Sequence, residues 1–554
     1  MTILSSLPES SAAGRARREA LARLNAAESA PTSVVGFLSR GRCLVIGDEL
    51  RAVAAAAALG PEFTAVVLVP GDSAPQVERS GAQTLIRGGR PLLQGALGDF
   101  VATLTAGSQT VDAGTLVSPP VERFDLVIDL GPVPVQRQAM PPLGYYAPGP
   151  DEEALAEVLK RLPEMLGEFE KPQYFEYDPE ICAHGRSGKR GCTRCIDACP
   201  AEAIVSIGEQ IQVNPYLCQG GGACATSCPT GAITYAYPRA SDLLAGIHRM
   251  LAGYRDAGGS YPAVVFYDHA ARDALADELG AAMPERVLPV EVEEIGSVGL
   301  DAWFTVLAYG AEAVVLATSD ATPAQVVETA QDQLVTARAI LAGMGYDEQR
   351  VRVINVDQPA EAATALASVP EGEARRPAGF QSPRDKRGRL RMAIEHLRAH
   401  APSVRRSVPL QPGAPFGEIR VDTKACTLCM GCVSVCPTHA LQDGRGLPQL
   451  NFREWNCVQC GLCERACPED AITLSARFLY DVNAREQSRL LHEEQPFCCV
   501  VCGKPFATRS MLDRLTHKLE GHWMFKTEAA RRRLEMCETC RVKDIFTSEG
   551  EPRR

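Results

Sequence analysis

Two kinds of apolar pattern alternate along the chain. Short runs of branched residues, Cys43-Leu-Val-Ile-Gly47, Ala65-Val-Val-Leu-Val69 and Phe124-Asp-Leu-Val-Ile128, read as buried strands, and the Ala-rich stretch at 50–59 reads as a helix between the first two. Strand, helix and strand in that order predict a small parallel α/β domain over residues 33–150. The rhythm returns at Ala263-Val-Val-Phe-Tyr267, Val287-Leu-Pro-Val290, Ala313-Val-Val-Leu-Ala317 and Val351-Arg-Val-Ile-Asn355. With helical segments near 270–282 and 324–343, it predicts a second α/β domain over 241–371. Leu155, Val158, Leu159, Leu162 and Leu166 recur at helical intervals and predict a helical linker over 151–173. Residues 1–32, rich in Ser, Ala, Arg and Glu, read as a mobile lead or a short exposed helix. Residues 372–412 turn basic, with Arg375, Arg376, Arg384, Lys386, Arg387, Arg389, Arg391 and Arg398, and have helical potential from Arg389 to His400. That segment reads as a solvated linker, or else as a docking surface for an acidic redox partner.

Two cysteine-rich segments interrupt this pattern. The second, residues 413–480, reads Cys426-x2-Cys429-x2-Cys432-x3-Cys436-Pro437, then Cys457-x2-Cys460-x2-Cys463-x3-Cys467-Pro468. This is the bacterial ferredoxin run, in which three closely spaced thiolates grip one [4Fe–4S] cube and the fourth crosses to the other. Two intervening residues let a tight loop wrap three corners of a cubane, and the proline turns the chain away. One cube is assigned to Cys426, Cys429, Cys432 and Cys467, the other to Cys457, Cys460, Cys463 and Cys436. Zinc motifs do not interleave in this way.

The first segment, residues 174–240, is an altered copy, so the chain contains an internal duplication. It reads Cys182-x9-Cys192-x2-Cys195-x3-Cys199-Pro200, with a basic insert (His184, Arg186, Lys189, Arg190) after the first ligand. Its second half reads Cys218-x5-Cys224-x3-Cys228-Pro229, and standard spacing places Gly221 where the middle ligand belongs. Cys182, Cys192, Cys195 and Cys228 form one four-thiolate site; Cys199, Cys218 and Cys224 are left for the other. Three thiolates favour a [3Fe–4S] cluster or a cube with one exchangeable iron; the alternative is a degenerate half that holds no cluster. His184 reads as a surface residue of the basic loop rather than a ligand.

The tail, residues 485–554, carries Cys499-Val-Val-Cys502 and Cys537-Glu-Thr-Cys540. Two such hooks suit a four-thiolate zinc site; the rival set is Cys499, Cys502, His517 and His522, which would leave the second hook unused. A structural zinc also suits a short segment with little core of its own.

Composition narrows the setting. Among 554 residues there are 21 cysteines, and clustering at ferredoxin spacing points to a reducing cytoplasm that keeps thiolates free for metal. A net charge of −11 argues against general nucleic-acid affinity, Arg531-Arg532-Arg533 notwithstanding. Arg17-Arg18 is followed by no apolar core, and the longest apolar run, Ala52 to Leu59, is too short to span a bilayer. Cys43 lies in an apolar run and reads as a buried thiol, while Asp268 and His269 read as an exposed strand-end pair.

Three resemblances add to this reading. The opening of the first domain resembles the Rossmann start of the flavin-carrying subunit of heterodisulfide reductases. Where G-x-G-x-x-G would stand, however, the sequence has Gly47-Asp-Glu-Leu-Arg-Ala52, whose carboxylates would repel a pyrophosphate. The domain therefore reads as a degenerate Rossmann-like scaffold without flavin or NAD. Ile295-Gly-Ser-Val-Gly-Leu300, Ala308-Tyr-Gly-Ala-Glu-Ala-Val-Val315 and Gly343-Met-Gly-Tyr346 resemble the delta subunit of methyl-viologen-reducing hydrogenases. That family passes electrons through a cysteine-ligated [2Fe–2S] cluster. This chain has no cysteine from 229 to 425, so the cluster is not carried over and a docking or spacer domain remains. Together, the two duplicated modules, this middle domain and the tail, with CGKPFATRSMLDRL and MCETCRVKDIF, resemble the large multi-cluster iron–sulfur proteins encoded beside molybdenum-dependent formate dehydrogenases in proteobacteria.

The expected fold class is multidomain α/β plus α+β: two bacterial 2[4Fe–4S] ferredoxin modules, a degenerate Rossmann-like N-terminal domain, an α/β central domain and a small zinc-ribbon-like tail. The expected function is relay of single electrons, through up to four clusters, between cytoplasmic redox partners. The last resemblance implies service to a formate dehydrogenase. The alternatives are a maturation or accessory protein for a molybdenum enzyme, and an oxidoreductase subunit retaining a flavin or NAD site. The sequence holds no P-loop, nucleophile elbow or flavin fingerprint.

Overall fold

Strand Arg42–Ile46 is the centre of the first sheet, pairing in parallel with Thr64–Val69 on one side and Leu126–Asp129 on the other. Gln83–Gln94 and Tyr145–Tyr146 complete the parallel set, and Gly71–Ser80, Val101–Ala106 and Gln109–Asp112 add antiparallel partners to make eight strands. The structure, a computed structural model, describes all residues except 1–6, 8–10, 25–32, 81–82, 278, 281–282, 371, 373–375 and 550–554. Side chains of the central strand alternate as its pleat requires. Cys43 and Val45 pack with Ala52, Ala55 and Ala56 of helix Glu49–Ala58, while Leu44 and Ile46 meet Phe100, Leu104 and Phe124. Burial pushes the Cys43 thiol up to about 12, as suits an inert core residue. Asp48 caps the helix, accepting from the Arg51 amide at 3.1 Å, so a carboxylate already serves the helix N-terminus.

Three segments depart from the sequence reading. The expected helical linker is helical only over Glu152–Arg161 and a following turn; Gly167–Pro172 is a strand, antiparallel to Val34–Ser39. Leu155 and Leu162 join the first domain's core, so this stretch closes that domain instead of linking it to the next. Of the expected lead, residues 1–6, 8–10 and 25–32 lie outside the described residues, and helix Ala12–Leu24 buries one face. Ala16, Ala20 and Leu21 pack with Leu244, Ile247 and Leu251 of helix Ala240–Asp256, and full burial of a leucine contributes about 1.5–3 kcal/mol. The basic segment is only in part a solvated linker: Arg376, Arg384 and Arg391 are exposed, Arg375 lies outside the described residues, and Lys386, Arg387, Arg389 and Arg398 are packed. Helix Lys386–Ala399 packs on Leu300–Ala308, burying Leu390, Ala393, Ile394 and Leu397. Arg389 forms a buried ion pair with Asp301 at 2.6 Å, and Lys386 is 8% exposed.

The central sheet is fully parallel, in the order Val287–Glu291, Ala263–Tyr267, Ala313–Thr318, Val351–Asn355. Every residue of Ala263–Tyr267 and Ala313–Thr318 is buried, as a parallel sheet covered by helices on both faces demands. Helices His269–Asp277 and Ala324–Gly343 stand where the periodicity placed them. Asp268 is buried rather than exposed: it accepts from the amides of Ala270, Ala271 and Ile295, tying the helix start to the loop at 295. This core runs on into both cysteine-rich segments, through Ala198 and Ala223 of the first and Phe416, Trp455, Phe478 and Tyr480 of the second. The central domain is therefore the packing partner of both.

Candidate iron–sulfur sites

The second cysteine segment is framed by antiparallel strands Gly417–Val421 and Ile472–Leu479 and by Leu441–Asp443 with Gln449–Phe452. Between them two loops repeat one conformation. Leu428 and Met430 in the first, and Gln459 and Gly461 in the second, have φ of 54°, 59°, 53° and 82°. These left-handed turns on either side of Cys429 and Cys460 wrap each loop around a common centre. Cys426, Cys429, Cys432 and Cys467 line one cavity, here site D. Cys460 and Cys463 lie within electrostatic reach of Cys436 and Cys457, and these four make up site C. Each set takes its fourth thiol from the other half. Burial pushes Cys432 and Cys460 up to about 12 and Cys457 up to about 11, and neighbouring thiols add to the rise. Such crowded, buried thiols ionise only against a compensating cation, and an all-sulfur donor set of this spacing fits an iron–sulfur core.

In the first segment Cys182, Cys192, Cys195 and Cys228 line one cavity, site B, and Cys199, Cys218 and Cys224 line another, site A. The basic insert is a two-stranded hairpin, Gly185–Arg186 with Lys189–Arg190, turned by Ser187 and Gly188 with φ of 52° and 71°. His184 is not at the surface. It is 1% exposed, with Nδ1 2.9 Å from Cys192 O and Nε2 2.7 Å from Ser206 Oγ, so both ring nitrogens hold the loop. Around site A, Gly220 and Gly222 have φ of 82° and 74°, the same pattern that flanks Cys429 and Cys460. Gly221 thus occupies the middle-ligand slot of an otherwise unchanged loop. That slot is closed from outside. A Cβ on Gly221 would meet Met140 Sδ at 2.9 Å and Pro200 Cγ at 3.0 Å, and one on Gly296 would meet Gly221 O at 2.2 Å. Thr226 Oγ1 donates to Gly296 O at 3.0 Å, fixing the 295–297 turn over the loop. The two segments also share an amide-to-sulfur contact, Ala203 N to Cys199 Sγ at 3.4 Å and Ala471 N to Cys467 Sγ at 3.3 Å.

Residues 425–472 match a family model described as a 4Fe-4S dicluster domain, and residues 211–234 match a 4Fe-4S binding domain. Ferredoxin-1 of Caulobacter vibrioides is 32% identical over 111 residues, 19% of this chain and 91% of that protein. The chain belongs to the ferredoxin family. The Ferredoxin-type protein NapF of Escherichia coli K12 is 48% identical over 45 residues, 8% of this ferredoxin and 27% of that protein. As a ferredoxin-type 4Fe–4S protein it carries electrons on iron–sulfur clusters and exchanges them with redox partners. Among the described residues, no helix is long and apolar enough to cross a membrane.

The two ferredoxin modules touch. Arg465 Nη1 donates to Arg190 O at 2.5 Å and to Gly191 O at 3.0 Å. A Cβ on Gly191 would sit 2.7 Å from Leu462 Cγ, so the chain comes this close only because residue 191 is glycine. Gly191 precedes Cys192 of site B, and Leu462 lies between Cys460 and Cys463 of site C. The Cys460 thiol accordingly senses Cys192 across the boundary. At the far ends, Cys429 of site D is exposed, and the three thiols of site A are half-buried.

The ferredoxin's tail begins later than the sequence implied. Arg485 is buried against Trp455 and Phe478, and Arg489–Glu493 pairs with Gln449–Phe452, so residues 485–493 belong to the second module. Beyond them, the sulfurs of Cys499, Cys502, Cys537 and Cys540 all lie within 4.8 Å of one another, and Cys502 and Cys537 are 3.7 Å apart. Tetrahedral zinc with Zn–S of about 2.3 Å separates its sulfurs by about 3.8 Å, so this set fits zinc, whereas the corners of a cubane stand farther apart. Burial resists ionisation of Cys499, but the amides of Cys537, Cys502 and Val501 overcome it and bring the thiol down to about 6. His517 and His522 are exposed and outside the set.

Sequence reasoning missed Met140, Lys386, Arg387 and the Gly191–Leu462 contact. None carries a local signal, because each meets its partner across 28 to 271 positions of chain. The one clue was composition: a Lys-Arg pair next to a helix-capping Asp385.

Proposed function

We propose that this ferredoxin relays single electrons along the line A–B–C–D between redox partners in a reducing cytoplasm. In this reading, B, C and D hold [4Fe–4S] clusters on Cys182/Cys192/Cys195/Cys228, Cys436/Cys457/Cys460/Cys463 and Cys426/Cys429/Cys432/Cys467. Site A, with Cys199, Cys218 and Cys224, holds a [3Fe–4S] cluster or a cube with a labile iron. The observation that supports the proposal is the contact of Gly191 and Arg190 with Leu462 and Arg465, which brings a cysteine loop of one module against a cysteine loop of the other. Exposed Cys429 marks D as the end that meets a partner. A formate dehydrogenase is the proposed partner, on the strength of the resemblance carried by the modules, the middle domain and the tail together.

The test is reduction of the anaerobically purified protein by a low-potential donor, followed by reoxidation with an acceptor, read from bleaching and return of the visible absorbance. About 15–16 irons per chain are expected for four such sites with one incomplete. Inability to cycle with any donor and acceptor pair sinks the relay. Formate-dependent bleaching that needs added formate dehydrogenase would support that partner, and its absence would remove it.

A second reading is favoured by the four-sulfur set in the tail: a structural zinc site through which the protein engages and matures a client enzyme. Replacing Cys537 and Cys540 by serine should then abolish client activation while leaving the clusters reducible; unchanged activation rejects it.

A further inference from the structure

Helix Lys386–Ala399 begins with two adjacent cations, and each is delivered to a different module. Lys386 Nζ donates to Ala225 O at 2.8 Å, Thr226 O at 2.6 Å and Cys228 O at 2.9 Å. Three acceptors around one nitrogen require three N–H bonds, so the group is an ammonium. Cys228 supplies a thiol to site B. Arg387 turns the other way, donating to Trp455 O at 2.6 Å and Pro415 O at 3.2 Å, with its guanidinium 5.0 Å from the Phe416 ring centre and 5.3 Å from that of Trp455. It lies within electrostatic reach of Cys457, a thiol of site C.

This placement is unfavourable for the helix alone. Asp385 caps it, accepting from Gly388 N at 2.5 Å, so both cations sit at the positive end of the helix dipole. The nearby buried carboxylates account for them only in part: Asp301 lies within electrostatic reach of Lys386 but is itself held by Arg389. Asp301 is paired with Arg389 at 2.6 Å, and Glu454 with Arg477 at 2.7 Å and Arg489 at 3.3 Å. Lys386 and Arg387 thus leave positive charge beside the two cysteine sets that face each other across the module boundary.

We propose that Lys386 and Arg387 are positioning residues of the relay that make the facing sites B and C the preferred resting places of electrons, each cation raising the reduction potential of its own cluster. The physical basis is simple. A thiolate-ligated cluster becomes more negative when it takes an electron, and a fixed cation in a weakly polarisable interior favours that state. Electrons entering at either end then run inward to the boundary, where the crossing between modules is made. This rests on the relay reading above.

The test is a redox titration of the full-length protein followed by electron paramagnetic resonance, with iron content measured on every sample. Lys386→Met is expected to move one [4Fe–4S] couple to more negative potential and leave the others in place; Lys386→Arg, which keeps the charge, should restore it. Arg387→Gln is expected to move a different couple in the same direction. In the wild type, the first two electrons should share one dipole-coupled signal, a measurement that stands even if Lys386→Met loses iron. Couples that stay put in Arg387→Gln, or one couple moved by both variants, would overturn the inference, as would first electrons giving two isolated signals. If no couple in the wild type accepts an electron, the relay itself fails, which is a different result.

Discussion

Arg465 of the second ferredoxin module reaches the Gly191 carbonyl of the first at 3.0 Å, across 274 positions of sequence. The carbonyl is within reach because no side chain at 191 stands between it and Leu462. Two modules that each close around their own sites are thereby held in one register.

That contact predicts a remote effect. Leu462 is fully buried, and Leu462→Ala should cost about 2–5 kcal/mol through the lost apolar contact and the cavity left behind. Its signature is loss of amide exchange protection in the first module, over residues 185–195, although the change is made in the second. Protection lost only around residue 462 would mean that the contact does not hold the modules together.

The buried pair Arg389–Asp301 secures helix Lys386–Ala399 to Leu300–Ala308. Burial resists ionisation of Asp301, and Arg389 and then Lys386 overcome it, holding the carboxyl below its usual range. Arg389→Met should cost about 3–5 kcal/mol in urea unfolding, because it strands the carboxylate, while Arg389→Met/Asp301→Leu should recover much of that loss. Since the folded-state pKa of Asp301 is depressed, its contribution is fully present above the unfolded value of about 3.9 and fades as pH falls through the lower folded value. Acid titration of the double variant should lack that component.

At site A, Gly221→Cys restores the missing thiol, but its Cβ meets Met140 and Pro200. Gly221→Cys/Met140→Ala makes room on one side. The double variant is expected to raise the iron of that site from about three to about four, with the single variant between them. Equal loading of both variants would show that Met140 is no obstacle.

In the tail, about one zinc per chain is expected, and a strong chelator should release it with loss of helix content beyond residue 496. Cys537→Ser should lose the metal and His517→Ala should keep it, by atomic absorption. Zinc loss in the histidine variant would point back to the Cys2His2 alternative.

Much of the architecture was legible in the chain. Parallel strands such as Ala263–Tyr267 are buried on both faces and so appear as unbroken apolar runs. The groupings of Cys426 to Cys467 followed from spacing, because a cubane's corners must be met by a short loop. Counting alone points to Gly221, and the glycines on either side of it, Gly220 and Gly222, have positive φ. Segments judged by composition fared worse. Arg and Lys between 384 and 398 suggested solvent, yet Lys386 and Arg389 are buried because carbonyls and Asp301 await them from other parts of the chain. His184 was misjudged for the same reason, its partners being Cys192 O and Ser206.

The sequence by itself determined the strands and the two cysteine-rich modules, since an apolar run or a closely spaced cysteine loop is set by near neighbours in the chain. Only the tertiary structure decided that Gly191 meets Leu462, that Met140 covers the slot at Gly221, and that Lys386 and Arg387 divide between two modules. These are meetings of distant segments, chosen by the packing of both modules on one central core, and local pattern carries no record of them.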